Sequence, residues 1–166
     1  MKQKIVGLWL TSDMKWAKNT KEITTKAFSK VSVLTKLKYV GVKISDLLDI
    51  YVLKIRSVLE YCCVVWHSRL TSLERVQKTC LRIVLGEEYN GYEDALNRFN
   101  LETLFDRRET RCLSFVKKCL KHPKHSKLFP KMRNSHFKEQ YKVNFGRTEI
   151  YRRSAIPYLQ RKLNEQ

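Results

Sequence analysis

Residues 45–86 read SDLLDIYVLKIRSVLEYCCVVWHSRLTSLERVQKTCLRIVLG, and the apolar spacing within them decides the fold. Leu47, Leu48, Tyr51, Val52, Ile55, Val58, Leu59, Cys62, Val65 and Trp66 recur mostly three and four positions apart. That period predicts one wide apolar stripe on a helix of about six turns. Ser45 or Asp46 can cap its start by accepting a hydrogen bond from the first free backbone N–H groups. Thr71 and Glu74 have the spacing of a capping box, and a second stripe runs through Leu73, Val76, Cys80, Ile83 and Val84 to Gly86. Two such helices joined by HSRLTS are expected to fold back on each other as a helical hairpin.

Working outward toward the N-terminus, residues 19–39 predict a helix with Ile23, Ala27, Val31, Leu34 and Leu37 on one face and lysines largely elsewhere. Residues 5–10 form a short apolar run expected to be a strand, followed by a Thr11-Ser12-Asp13 turn signal. A single strand is marginal in water and needs a partner, and none is evident downstream.

Toward the C-terminus, an acidic turn around Asn90-Gly91 leads into a short helix over residues 92–98. A long helix is expected over residues 101–120, its inner stripe made of Leu104, Phe105, Arg108, Cys112, Phe115, Val116, Cys119 and Leu120. Arg108 is the odd member, expected at the margin of the stripe or paired with Asp94 or Glu109. His122-Pro123 ends this helix. Beyond it the chain is basic and irregular, interleaved with Phe129, Phe137, Tyr141, Phe145, Tyr151 and Tyr158, until a short helix starts near Ile156 and ends near Leu163. Those rings either anchor an irregular arm or stack on the bases of single-stranded RNA. The fold class is therefore mainly α: a helical bundle on a central hairpin, with a short N-terminal strand and a basic, irregular C-terminal arm.

The chain's 166 residues, 43% of them apolar, can bury one domain's core. Lys and Arg total 34 against 16 Asp and Glu, a formal charge of +18 that points to a polyanionic partner. The charge is segregated. Residues 1–43 carry ten basic and two acidic side chains, residues 44–110 nine and eleven, and residues 111–153 thirteen and two. A nearly neutral scaffold thus holds two cationic flanks.

Cys62, Cys63, Cys80, Cys112 and Cys119 are odd in number, and all but Cys63 fall on predicted apolar faces, where a thiol packs as a small hydrophobe. An intracellular compartment, nucleus or cytoplasm, is the expectation. Lys54, Arg56 and Glu60 interrupt the longest apolar candidate, so no membrane span is expected, and MKQKIVGLWLTSD is too soon broken for a signal peptide.

Nucleotide polymerisation needs paired aspartates that hold two metal ions. The sequence has no Asp-Asp pair, and Asp46 and Asp49 fall on the outer face of the organising helix, so no catalytic residue is assigned. Cys119, His122 and His125, with His136 or Cys112 as a fourth ligand, are the best zinc candidates, weakened by Pro123 and by the expected burial of Cys119. No metal and no cofactor is therefore assigned.

The runs IRSVLEYCCVVWH and LERVQKTCLRIVLG resemble the segment that follows the polymerase core in reverse transcriptases of non-LTR (LINE-type) retrotransposons. GLWLTSDMKW resembles the strand that closes the palm in that family, and KAFSKVSVLTKLK the helix after it. NLETLFDRRETRCLSFVKK and YRRSAIPYLQRKLN resemble later blocks in the family's order. The resemblance covers nearly the whole chain, and its specificity comes from the order of the blocks. The turn HSRLTSLERVQK is shorter than the family's usual connection.

The resemblance implies a residual palm-edge strand at residues 1–13, a thumb-like helical domain at 14–121 and a basic arm at 122–166. The chain then opens after the palm and its acidic motif would have ended. It also implies a non-enzymatic segment that grips template RNA or the primer–template duplex, its partners being RNA or an RNA/DNA hybrid and a missing palm. Charge placement, and no family motif, selects Lys26, Lys30, Lys117, Lys118, Lys124, Arg147, Arg152 and Arg153 as candidate phosphate contacts. The alternative is an orphaned or co-opted helical protein-interaction module without enzymatic activity.

Overall fold

The computed structural model describes residues 2–12, 15–66, 71–132 and 140–165. The apolar run at residues 5–10 splits into two strands, β1 (Lys2–Ile5) and β2 (Leu8–Thr11), paired antiparallel with Lys2 opposite Thr11 and Ile5 opposite Leu8. The expected single strand is thus corrected to a hairpin whose partner lies upstream. Val6 and Gly7 form its two-residue turn at φ 47° and 79°. Positive φ at both central positions matches the right-handed twist of the strands, and only glycine adopts it without steric cost.

The chain forms two compact units. The first comprises residues 1–61 and 69–107, the second 62–68 and 108–166. The expected boundaries after residues 13 and 121 differ from this division. The described residues after 121 fall in the second unit with residues 62–66 and 108–121.

In the first unit, α1 (Ala17–Tyr39) buries Ile23, Ala27, Val31 and Leu34, as its periodicity requires, while Leu37 is half-buried. α2 (Ile44–Ile50) runs through a π-helical segment (Tyr51–Arg56) into α3 (Ser57–Leu59). A π turn holds one extra residue per hydrogen-bonded ring, i→i+5 instead of i→i+4. Through it the buried face runs Leu47, Tyr51, Ile55, Leu59, every fourth residue. The π turn's carbonyls also take outside donors: Ser57 Oγ donates to Leu53 O (2.7 Å) and Lys30 Nζ to Lys54 O (2.8 Å).

The single helix expected to reach Trp66 is broken. A turn at residues 60–62, with Cys62 at φ 50°, ends it, and α4 (Cys63–Trp66) belongs to the second unit. As a result Cys63 is buried in place of Cys62, and Val65 is exposed.

α5 (Thr71–Leu85) buries Leu73, Val76, Gln77, Cys80, Leu81, Val84 and Leu85, so Leu81 and Leu85 take the place expected for Ile83. It packs against α2, as the hairpin requires, and most extensively against α1. Lys38 Nζ, from the end of α1, donates to Val84 O at 2.9 Å. Gly86 follows at φ 62°, a left-handed helix stop.

Glu74 does more than the expected capping box asks of it. Its carboxylate accepts from the Tyr92 hydroxyl and from the Leu104 N–H (3.0 Å), tying α5 to α6 (Tyr92–Arg98) and to the start of α7 (Leu104–Lys121). Gln77 extends this buried network, accepting from Tyr51 (2.5 Å) and donating to Tyr92 (3.0 Å) and Glu102 O (2.9 Å).

The second unit's core gathers Cys112, Val116, Cys119, Phe129 and Leu159, flanked by Val64, Leu120, Tyr141, Ile156, Tyr158 and Leu163. Arg108, expected at the margin or on Asp94 or Glu109, is 2% exposed beneath the Trp66 ring. Phe115, expected inside, is 45% exposed. α8 (Glu149–Arg152) and α9 (Ala155–Asn164) close the unit, α9 at the place its sequence predicts. No helix of the described residues is long and apolar enough to cross a membrane.

Candidate nucleic-acid interface

Lys26 and Lys30 lie on α1 in the first unit, and the other six candidates lie in the second. Lys26 is exposed beside a groove of about 430 Å³ that it lines with Lys4, Ile23, Ser57, Val58 and Tyr61. The Tyr61 hydroxyl donates to Val6 O at 3.1 Å, which holds the ring against the hairpin turn. No carboxylate lines the groove among the described residues. Lys4 and Tyr61 were not foreseen, because a strand residue and a helix-end residue far apart in sequence share no local pattern. Lys30 is spent internally on the Lys54 carbonyl. Lys18 is similarly engaged, its ammonium 3.3 Å from the Trp9 ring centroid.

In the second unit α7 turns Cys112, Val116 and Cys119 inward and leaves Lys117, Lys118 and Lys121 exposed. Lys124 follows in the turn after the helix, and Arg147, Arg152 and Arg153 are exposed on and before α8. The described carboxylates of this unit are all occupied. Glu109 and Glu165 hold Lys162 at 2.6 and 2.7 Å, and Glu149 holds Arg153 at 2.7 Å, with Arg152 at 3.9 Å. Those two hydrogen bonds, to Glu109 first, raise the Lys162 pKa. What is left over on this surface is positive: Lys117, Lys118, Lys121, Lys124, Lys127, Lys142 and Arg147 are all exposed.

The aromatic residues separate into two groups. Phe129 is buried, Tyr141 and Tyr158 pack on the core, and the Tyr158 hydroxyl donates to Glu109 at 3.3 Å. Phe145 is 84% exposed and Tyr151 43%. Phe137 lies outside the described residues, as do His67 and His136. Trp66 is fully buried, so it is the core anchor and no base can reach it.

The His122 and His125 rings stack at 4.2 Å, and no group of three metal-ligating side chains is gathered among the described residues. The Cys80, Cys112 and Cys119 thiols are held in the neutral form. A hydrogen bond with Cys63, then burial, raises the Cys112 pKa, and burial alone raises those of Cys80 and Cys119, whereas a reactive thiol needs a lowered one. Asp46 and Asp49 are exposed on α2. Compared with protein-family models, curated proteins and solved structures, the chain matches none.

Proposed function

We propose that this chain is a nucleic-acid-binding segment without catalytic activity of its own, resembling the post-palm region of a non-LTR retrotransposon reverse transcriptase. It grips template RNA or a primer–template duplex through the phosphate backbone. The observation that carries this reading is the charge balance of the second unit, where each described carboxylate is paired internally while Lys117, Lys118, Lys121, Lys124, Lys127, Lys142 and Arg147 stand exposed with no ion-pair partner among the described residues. Such a surface gains affinity by releasing counterions from a polyphosphate and reads little sequence. The mechanism is neutralisation by Lys117, Lys118, Lys124 and Arg147 in the second unit and by Lys26 in the first. Arg152 and Arg153 contribute more weakly because Glu149 shares their charge.

The test is a titration of labelled RNA and RNA/DNA hybrid at several salt concentrations. Affinity should fall by orders of magnitude between about 50 and 200 mM salt. Replacing Lys117 and Lys118 with alanine should flatten the slope of log K against log salt by about one unit per lost contact. Affinity that ignores salt, or no binding, overturns the proposal. The groove beside Tyr61, with its apolar Ile23 and Val58 walls, favours a second reading as a protein-interaction module, for which peptide capture that survives high salt is the discriminating result.

A further inference from the structure

We infer that Phe145 is a stacking platform for an unpaired base of a single-stranded nucleic acid, with Arg147 on the adjoining phosphate. The inference rests on the proposed function and narrows its ligand.

Phe145 is 84% exposed. Here the backbone on both sides of Phe145 is held. The Asn144 N–H donates to Oε1 of the fully buried Gln160 at 2.7 Å, and Gln160 Nε2 donates onward to Leu128 O at 2.8 Å. On the other side, Arg152 Nε donates to Gly146 O at 3.0 Å, and Arg161 Nη2 donates to Arg152 O at 2.6 Å. Gly146 is itself buried, and a Cβ there would fall within the Tyr151 side chain, so the Tyr151 ring lies directly on the glycine. The Thr148 hydroxyl caps α8 by accepting from the Tyr151 N–H at 3.3 Å.

These bonds fix the turn while leaving the Phe145 ring 84% exposed to water. Arg147 is exposed, and no described residue pairs with it. The one carboxylate on α8, Glu149, is held by Arg153. An exposed apolar ring two residues from an exposed guanidinium complements a base with its phosphate, and stacking on a side chain requires the base to be out of a duplex. The charge disfavours an apolar protein partner at this ring.

The test uses the intact chain with a short labelled single-stranded RNA, the same sequence as DNA, and the matching duplex, at one fixed salt concentration. Phe145→Ala should weaken single-strand binding by about tenfold and leave duplex binding unchanged, and Phe145→Trp should restore it. In the wild type, 2-aminopurine placed in the single strand should change its emission on binding as it stacks. RNA and DNA responding alike identifies base stacking; a response to RNA alone adds recognition of the 2′-hydroxyl. The inference is overturned if Phe145→Ala weakens strand and duplex equally or neither, if 2-aminopurine emission does not change, or if the variant alters self-association instead. Salt-sensitive duplex binding that survives alongside any of these failures leaves the broader function standing; binding to neither form removes both.

Discussion

The guanidinium of Arg108 lies 4.3 Å from the centroid of the Trp66 ring, and both side chains are buried to within 2%. A charge on the apolar stripe of α7 is thereby accommodated on the face of an indole, where the ring's negative potential offsets part of the lost hydration. Trp66→Ala removes both the largest buried side chain and the cation's platform, and should cost the protein about 3–5 kcal/mol. Arg108→Lys should also destabilise, because an ammonium cannot lie flat on the ring. Urea midpoints of the two variants check this. An Arg108→Lys midpoint equal to the wild type's would show that the planar contact contributes nothing.

Two ion pairs of the first unit should differ sharply in worth. Arg107 Nε donates to Glu60 Oε1 at 2.5 Å, with the Glu60 side chain 3% exposed, whereas the Arg98–Glu88 pair is half-exposed. Arg107→Ala takes a hydrogen-bonded cation from a buried carboxylate and should cost clearly more than Arg98→Ala, which should cost less than about 1 kcal/mol. Chemical denaturation of both variants in one buffer decides the matter, and equal losses would contradict the assignment.

Stability should fall on the alkaline side. Burial pushes the Cys80 thiol up to about 12 from an ordinary value of 9.0. Between those values the unfolded chain has lost a proton that the folded chain keeps, so the contribution is complete below about pH 9 and drains away as pH rises toward 12. Burial raises Tyr51 and Tyr92 as well, adding to the loss above about pH 10. Unfolding midpoints measured from neutral to alkaline pH should decline from about pH 9, and Cys80→Ala should flatten the first part of the decline. An unchanged slope in that variant would reassign the effect.

The π turn should tolerate a deletion that an ordinary helix would not. Leu53 is 66% exposed, and removing it changes the spacing of Leu47, Tyr51, Ile55 and Leu59 from four-four-four to four-three-four, a normal α stripe. The variant should stay folded, at a cost of about 1–2 kcal/mol for the altered hydrogen bonds to Leu53 O and Lys54 O. Deleting the exposed Lys78 from α5 should instead rotate half of the buried face out of register and unfold the first unit. Circular dichroism melts of the two deletions compare them directly.

Much of the helical layout was legible in the residues. α1, α6 and α9 lie where the apolar pattern and turn signals place them, and α7 ends at His122-Pro123 as expected. Of the candidate phosphate contacts, the exposed lysines of α7 were visible as the polar complement of its apolar stripe. The internal use of Lys30 was not, because it depends on a carbonyl offered by a π turn that no local pattern announces. The ring sequence Phe129, Tyr141, Phe145, Tyr151, Tyr158 looked uniform, yet the tertiary structure buries its first member and exposes Phe145.

Taken alone, the amino-acid sequence determined which stretches are helical and how the charge is divided among them, since both depend on neighbours within a few positions. Only the tertiary structure decided that the helix starting at Ile44 breaks at residues 60–62, that Arg108 lies under Trp66, and that the N-terminal strand pairs with Lys2–Ile5. Each of these is settled by which side chain or backbone group meets another across a gap in sequence. Periodicity carries no record of such meetings, because the same apolar spacing suits a continuous helix and one that turns to bury its last residues elsewhere.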